Sequence, residues 1–350
     1  MRLLDKYLSR EYLKLYFMLI PFFIAFFLLT DFFTSIANLE EEAKLLAVVQ
    51  YYLLQIPPLF SLLSPLGVLM ATLLTISHLG GTYQIQAAQI SGVPVKRIVL
   101  PLLTIGVISS FVILFLDQTL IFRANQVAQR LHQENFLGPP PQQIQKNIFI
   151  HVPPSYLFYI RSFDPQQSKM ENILIYERTS PPRLTAAKEA SWVKSGWLLQ
   201  QGMDYRLGKE LEGTPFEEKF LPLDKEPAYF SKRYFPPEKM NIAELNRQID
   251  EYGKSGLEIL DLKAELNFKI SYPFTNFIFL FLGIPLGMLL KKGGRGASFG
   301  LSLIIGFGYY QTMAFFKILA KSGAISSFVV AWLPNFIFLA AGIYLYTLIE

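Results

Sequence analysis

Few side chains in this sequence could do chemistry. Gly253-Lys254-Ser255 is the kind of tripeptide that cradles a nucleotide phosphate, but such a loop needs a glycine five residues before the Gly-Lys pair. Gln248 stands there, and no strand pattern precedes it, so the segment reads as a helix break. Cysteine is absent, which excludes disulfides, thiolate catalysis and Cys-ligated metals. His78, His132 and His151 have no ligand spacing between them. Ser77 and His78 are neighbours on a helical run and point apart, so they form no nucleophile–base pair. What remains is charge at the ends of apolar runs. Asp31 and Asp117 are acids near such ends, and acids at membrane depth are candidates for function. Lys317 and Lys321 are four apart, so they share one helix face and could meet an anionic headgroup or act as snorkelling anchors. These groups can bind or gate; none is arranged to break a bond.

The elements that position them are membrane spans. The chain has 350 residues, 52% hydrophobic and only 17% charged, with mean hydropathy +0.33. An ordinary soluble domain has about 25% charged residues. A bilayer core needs about 20 apolar residues as helix. Six segments qualify, at about 12–36, 52–78, 97–118, 268–290, 298–319 and 325–348. The first is too long for the apolar core of a signal peptide and has no small-residue cleavage site behind it. Prolines at 21, 57, 58 and 65 are tolerable, because neighbouring helices can satisfy the freed carbonyls.

Charge divides the chain in the same way. Residues 120–266 hold 19 basic and 19 acidic groups, so the whole net charge of +5 belongs to the apolar part. That argues against nucleic acid as a partner and makes the basic excess a signal of orientation. Placing the N-terminus in the cytoplasm puts Arg2, Lys6, Arg10, Lys14, Lys96, Arg97, Lys291, Lys292 and Arg295 inside. Only Lys44, Lys269, Lys317 and Lys321 then lie in short outer segments. Nine against four supports that orientation, with both termini cytoplasmic and 120–266 outside.

The outer region reads as a β-rich domain. Short apolar runs at 144–152, 156–163, 173–176, 197–207 and 216–221 are separated by clusters such as Asp164-Pro165 and Ser180-Pro181-Pro182. Many short strands with Gly/Pro turns suggest a sandwich or jelly roll. Its core should hold Trp192 or Trp197. Gly138-Pro139-Pro140-Pro141 reads as a linker, and 241–265 as an amphipathic helix leading back to the fourth span. The connection between spans two and three, His78 to Val93, carries a helix-compatible segment bounded by Gly80, Gly81 and Gly92. It is too polar to span, and suits either docking of a soluble partner or a plain interfacial helix.

On these residues the sequence resembles the LptF/LptG permease family of the lipopolysaccharide-export ABC transporter. Leu4-Asp5-Lys6-Tyr7-Leu8-Ser9-Arg10-Glu11 is similar to the family's opening, and nearer its G-type than its F-type. Ala88-Gln89-Ile90-Ser91-Gly92 is similar to the end of the family's coupling helix. Phe158-Tyr159-Ile160 is similar to a strand of its outer domain, and Ile175-Tyr176-Glu177, Ala190-Ser191-Trp192 and Trp197-Leu198-Leu199 to later segments of that domain. Glu265-Leu266-Asn267-Phe268-Lys269 and the Pro285-Leu286-Gly287 to Gly294-Arg295-Gly296 turn resemble its fourth span and next cytoplasmic loop.

The resemblance implies six transmembrane helices with an inserted all-β, jelly-roll-like periplasmic domain. Spans one to three would occupy 1–119, with a coupling helix at about 82–91; the β-domain would occupy 120–266, and spans four to six 267–350. It implies a multi-pass inner-membrane permease that is not an enzyme and binds no cofactor. ATP would be used by a separate cytoplasmic ABC ATPase dimer. The other partners would be a paralogous six-span permease, a bitopic protein with a β-domain, the membrane, and lipopolysaccharide as cargo. Tyr83, Gln84, Ala87, Ala88, Ser91 and Gly92 would couple to the ATPase, with Gln84 standing where the family usually has an acid. Phe26, Asp31, Tyr309, Tyr310, Phe315, Lys317 and Lys321 would line the substrate cavity or its rim. The acidic run Glu40–Glu42 makes the outer end of span one a poor phosphate site, which leaves Lys317 and Lys321 as first choice. Alternatives are an exporter of another lipid or lipoprotein and a non-transporting scaffold.

Overall fold

The computed structural model describes residues 3–35, 45–135, 145–152, 156–164, 167–193, 196–207, 211–223, 225–230, 237–254, 259–290 and 294–348. Glu40–Glu42, Lys44 and the Gly138–Pro141 linker lie outside the described residues. The chain forms two compact units: Met1–His132 with Pro237–Asn246 and Leu260–Glu350, and Gln133–Pro236 with Arg247–Ile259.

The first unit is helical. Its elements are α1 (Leu3–Ser35), α2 (Leu45–Gly81), α3 (Gln84–Ile90) and α4 (Val95–Leu116). α4 runs through a π-helical turn, Asp117–Ile121, into α5 (Phe122–Asn135). After the second unit come α8 (Leu260–Ser271), a 3₁₀ turn Tyr272–Phe274, α9 (Thr275–Leu289), α10 (Gly294–Lys321) and α11 (Ser327–Thr347). Among the described residues, six helical stretches are long and apolar enough to cross a membrane. Each contains or overlaps one of the six expected spans. The helices start and stop beyond the apolar runs because polar turns continue them past hydrocarbon depth.

Buried α2 and α9 form the middle of this unit. Leu69, Met70, Leu73 and Ile76 of α2 and Phe279, Leu280 and Ile284 of α9 are almost fully buried. Gly283 and Gly287, four apart on α9, set the approach: a Cβ on Gly287 would lie 2.7 Å from Ile76 and one on Gly283 3.0 Å from Thr72. Without a hydrophobic force between helices in lipid, such small-residue contacts drive packing. α1 adds its buried stripe Leu8, Tyr12, Tyr16 and Ile20 to the same core.

The second unit carries the β-domain: β1 (Gln145–Val152), β2 (Tyr156–Asp164), β3 (Lys169–Glu177), β4 (Arg183–Val193), β5 (Gly196–Leu207) and β6 (Leu211–Leu221). α6 (Pro227–Phe230) follows β6, and α7 (Ile242–Lys254) is the amphipathic helix expected before the fourth span. The strands form one antiparallel sheet in strict chain order. The all-β insert is as expected, but its connectivity is a meander rather than the crossing of a jelly roll. The physical reason is loop length: every connection is five residues or fewer, which closes a hairpin, whereas a Greek key needs one long return. β4 is the strand that hydrophobic patterning missed, since small Ala187 and Ala190 and Thr185 fill its buried positions.

A line of irregularity crosses this sheet. Buried residues alternate along β2 as Phe158 and Ile160, then step by three to Phe163. β3 does the same from Ile175 and Ile173 to Met170, and β4 from Thr185 and Ala187 to Ala190. At that line Arg161, Asn172, Lys188, Gln201 and Glu217 drop out of the strand pairing. Asn172 and Gln201 have φ of 50° and 49°. One residue inserted at the same place in each strand keeps the register and re-aims the inward face, and bulges bend the strands that carry them. Trp197 is fully buried in the core on this face, and its indole N–H donates to the Lys225 carbonyl at 3.0 Å. Trp192 packs edge-on against it.

Candidate functional site

Two places in the helical unit combine exposed or charged chemistry with defined geometry. The first is α3. Its start is a backbone reversal: Tyr83 sits at φ 59° with an exposed ring. Its end is a Schellman closure. Val93 N–H reaches the Ala88 carbonyl, Gly92 N–H reaches Gln89, and Gly92 adopts φ 82°. Only glycine holds that conformation without strain, which explains the spacing of Ala88 and Gly92. Ser91 adds a hydroxyl bond to the Ala87 carbonyl at 2.9 Å. Ile85 is buried in the bundle core, with Ala88 and Val93 packed against it. The opposite side presents Tyr83, Gln84, Ala87 and Ile90, all exposed. α3 is therefore anchored by one face and open on the other. An ion pair ties the start of α4 to α1: Arg97 donates to Asp5 at 2.9 Å, and Asp5 is buried.

The second place is at the opposite end of the bundle, where α4 ends and α8 begins. A cavity of about 260 Å³ is lined by Leu62, Asp117, Glu265, Lys269, Met313 and Lys317, among others. Lys269 of α8 pairs with Asp117 at 3.0 Å, with side chains 12% and 15% exposed. Asp117 opens the π-helical turn, and the next residue, Gln118, accepts the Ile242 N–H at 2.8 Å. Lys317 of α10 pairs with Glu265 of α8 at 2.5 Å, and the Glu265 carboxylate is almost buried. Lys321 lies 3.8 Å from Asp261, one turn further out. Three lysines of this end are thus each held by an acid of another segment.

Tyrosines fix the helices beside the cavity. Tyr309 is 2% exposed, bonded to Thr275 at 2.6 Å and to Asn335 at 2.9 Å, and Asn335 donates on to the Ser271 carbonyl. Tyr272 and Tyr310 both donate to the Leu62 carbonyl on proline-rich α2. Of the residues expected to line a substrate cavity, Tyr309 therefore faces the helical core, and Tyr310 clamps α10 to α2. Phe26, Asp31 and Phe315 are exposed on the outside of the unit. Lys317 borders the cavity but is already paired, and half-buried Lys321, near Asp261, is not part of the cavity lining. Sequence reasoning missed Glu265 and Asp261, the acids that hold these two lysines. Glu265 was visible only as part of a run, with nothing to mark its partner 52 residues on.

Residues 6–348 match the family model described as "Lipopolysaccharide export system permease LptF/LptG". The chain belongs to the LptF/LptG family. The match covers nearly the whole chain and so spans both units, although it does not separate the LptF from the LptG type. No curated protein matches the chain. An LptF/LptG member is a transmembrane permease, and six apolar helices with an inserted antiparallel sheet fit a multi-pass membrane protein of that kind. In this LptF/LptG chain, the open face of α3 and the paired lysines lie at opposite ends of the helical unit.

Proposed function

We infer that this chain is one permease half of an ABC transporter that extracts lipopolysaccharide from the inner membrane. In this reading the chain hydrolyses nothing and holds no cofactor. ATP is consumed by a cytoplasmic ATPase dimer. A paralogous six-span permease completes the membrane cavity, and a bitopic β-domain protein receives the lipid. The termini and α3 face the cytoplasm, and the β-domain faces the periplasm.

The observation that carries the reading is α3. A seven-residue helix with Ile85 in the core and Tyr83, Gln84, Ala87 and Ile90 open is a lever: force on its exposed face reaches the bundle through its buried one. The Asp5–Arg97 pair then links that lever to α1. Lipid extraction needs such a drive, since each exposed methylene costs ~0.8 kcal/mol. At the other end, Lys317 must leave Glu265 before it can hold a phosphate of the cargo. The pair acts as a latch between α8 and α10, and the arriving phosphate replaces the carboxylate.

The test uses the assembled complex in detergent. Ala87→Arg should abolish co-purification of the ATPase while the chain inserts at wild-type level, and Gln84→Glu should keep or strengthen it. Recovery of ATPase at wild-type yield with Ala87→Arg refutes α3 as the coupling helix. Purification of the chain with a bitopic β-domain protein but with no ATPase and no second six-span chain favours the non-transporting scaffold over transport. ATP-driven release of a different lipid, with lipopolysaccharide left in the proteoliposome, would reassign the cargo.

A further inference from the structure

α1 carries a second, unpaired set of cations. Lys6, Arg10 and Lys14 follow at intervals of four, so they line one face of the helix. All three are exposed, and none has an ion-pair partner among the described residues. That face points away from the bundle, since the buried stripe of α1 is Leu8, Tyr12, Tyr16 and Ile20. The three cations border a shallow depression of about 480 Å³, whose remaining lining is Ser9, Leu13 and Phe17. Phe17 is 63% exposed. The stripe is therefore cationic toward the helix start and apolar one turn deeper, where the continuous apolar part of the span begins.

The geometry matches an amphiphile with an anionic head. Lys6 and Lys14 are ~12 Å apart along the axis. Side chains of a helix lean toward its N-terminus. Here that is also the direction of water, so Arg10 and Lys14 bring their charges up toward Lys6 at headgroup depth. Their aliphatic stems stay on the apolar surface. Leu13 and Phe17 then meet the first methylenes of an acyl chain.

We propose that Lys6, Arg10, Lys14 and Phe17 form a binding site for an anionic phospholipid of the leaflet at the α1 start. This is distinct from the transported cargo, which the reading above places at the opposite face. It rests on α1 being a span and holds whatever lipid is exported. The occupant is a lipid rather than a protein because the charge is confined to one stripe that continues directly into apolar surface. A bound lipid there steadies α1 at the point where Asp5 joins it to α4, and so ties the coupling lever to the composition of the membrane.

The experiment uses the full chain, in the complex with which it co-purifies, in neutral detergent. Phosphatidylglycerol, phosphatidylcholine and inorganic phosphate are added separately, and bound lipid is counted by native mass spectrometry. Phosphatidylglycerol should be retained in preference to phosphatidylcholine. Replacing Lys6, Arg10 and Lys14 together by Gln should weaken retention about tenfold or more. The charge-conserving triple exchange K6R, R10K and K14R should preserve it. Removing three exposed cations elsewhere (R161Q, K188Q and K263Q) should leave it unchanged. Equal loss in that control would make the effect one of net charge and overturn the site. So would unaltered retention in the Gln variant, or displacement of the lipid by millimolar phosphate. Lipid binding seen with the isolated chain but not in the complex would give this face to a protein neighbour and also overturn it. If the triple Gln variant fails to insert, Lys14→Gln and Phe17→Ala alone must each reduce retention for the proposal to stand.

Discussion

The two ends of the helical bundle treat positive charge in opposite ways. Where α8 begins, Lys269, Lys317 and Lys321 each lie against an acid, and the first two are mostly buried. Where α1 begins, Lys6, Arg10 and Lys14 stand exposed along one face and form no ion pair among the described residues, even with Glu11 on the same helix, while Asp5 is taken up by Arg97. A buried cation must be neutralised inside the fold, because its desolvation is not repaid otherwise. An exposed one need not be. The difference separates the charges that hold helices together from those left for something outside the chain. It also warns that a lysine near a membrane surface is not by that fact free to bind a phosphate.

The largest effect should come from removing Glu265, whose side chain is the most buried of the acids in these pairs. Glu265→Ala leaves Lys317 without its counter-ion beside α8. We expect a loss of roughly 3 kcal/mol, the low end for breaking a buried pair because Lys317 keeps some access to solvent. Thermal melts in detergent, followed by circular dichroism, measure it. Glu265→Leu combined with Lys317→Met should recover most of the stability, since an apolar pair of similar volume removes both charges. Lys14→Gln at the other end should change the melt by no more than about 0.5 kcal/mol. Equal effects at the two ends would erase the contrast. Lys317→Glu alone is a poor test of Lys317 as a phosphate contact, because it would place two carboxylates together. A charge swap, Glu265→Lys with Lys317→Glu, keeps the pair and moves the cation to α8. Lost release with normal assembly in the swap would tie transport to a cation on α10.

These pairs show where a sequence stops being legible. The spans could be read because a bilayer imposes about 20 apolar residues on every helix that crosses it. The end of α3 could be read because Gly92 must take a left-handed conformation that few residues adopt. A tryptophan in the β-domain core could be read as Trp192 or Trp197, since an apolar ring of that size needs cover, and the structure buries Trp197 fully. β4 was missed because alanines carry no strand signature. The ion pairs were missed because their partners are remote along the chain: Asp117 and Lys269 lie 152 residues apart, and Glu265 and Lys317 sit on different helices. Nothing local distinguishes a lysine that will find a carboxylate from one that will not.

A smaller effect should follow at the coupling end. Asp5→Asn keeps a hydrogen-bond acceptor for Arg97 but removes the charge. We expect a loss of about 1–2 kcal/mol in the same melts. The more telling readout is functional: if this pair passes force from α3 to α1, ATP hydrolysis by the complex should persist while lipid release falls. Release that falls only in proportion to folded protein would leave the pair a plain staple. Gly92→Ala tests the lever itself. A Cβ there meets nothing within 4 Å, so any cost is backbone strain alone, about 1–2 kcal/mol. Gly92→Asn should cost less, because asparagine tolerates that conformation.

The smallest expected effect lies in the β-domain, and it extends the contrast to a pair of intermediate exposure. Asp204 on β5 accepts a hydrogen bond from Lys219 at 2.7 Å and another from Thr185 at 3.0 Å. Burial pushes its pKa up. The hydrogen bonds from Lys219 and Thr185, with the positive charge of Lys219, outweigh burial and hold it below the ordinary value of 3.8. A carboxylate whose folded pKa is depressed binds fewer protons folded than unfolded. Its contribution is therefore complete above the ordinary value and is lost as pH falls through the depressed one. After screening by solvent, that contribution should be a few tenths of a kcal/mol to about 1 kcal/mol. Asp204→Asn should accordingly lower the stability of the β-domain at pH 7 by that small amount, and the gap to wild type should close below about pH 4. Melts followed by tryptophan emission in a Trp332→Phe background report on this unit, since Trp192 and Trp197 of its sheet are then the tryptophans that remain. A gap that stays constant from pH 7 to pH 3 would show that the hydroxyl and packing contacts of Asp204 matter and its charge does not. A gap as large as that for Glu265→Ala would mean that pairing itself, and not burial, sets the worth of these ion pairs.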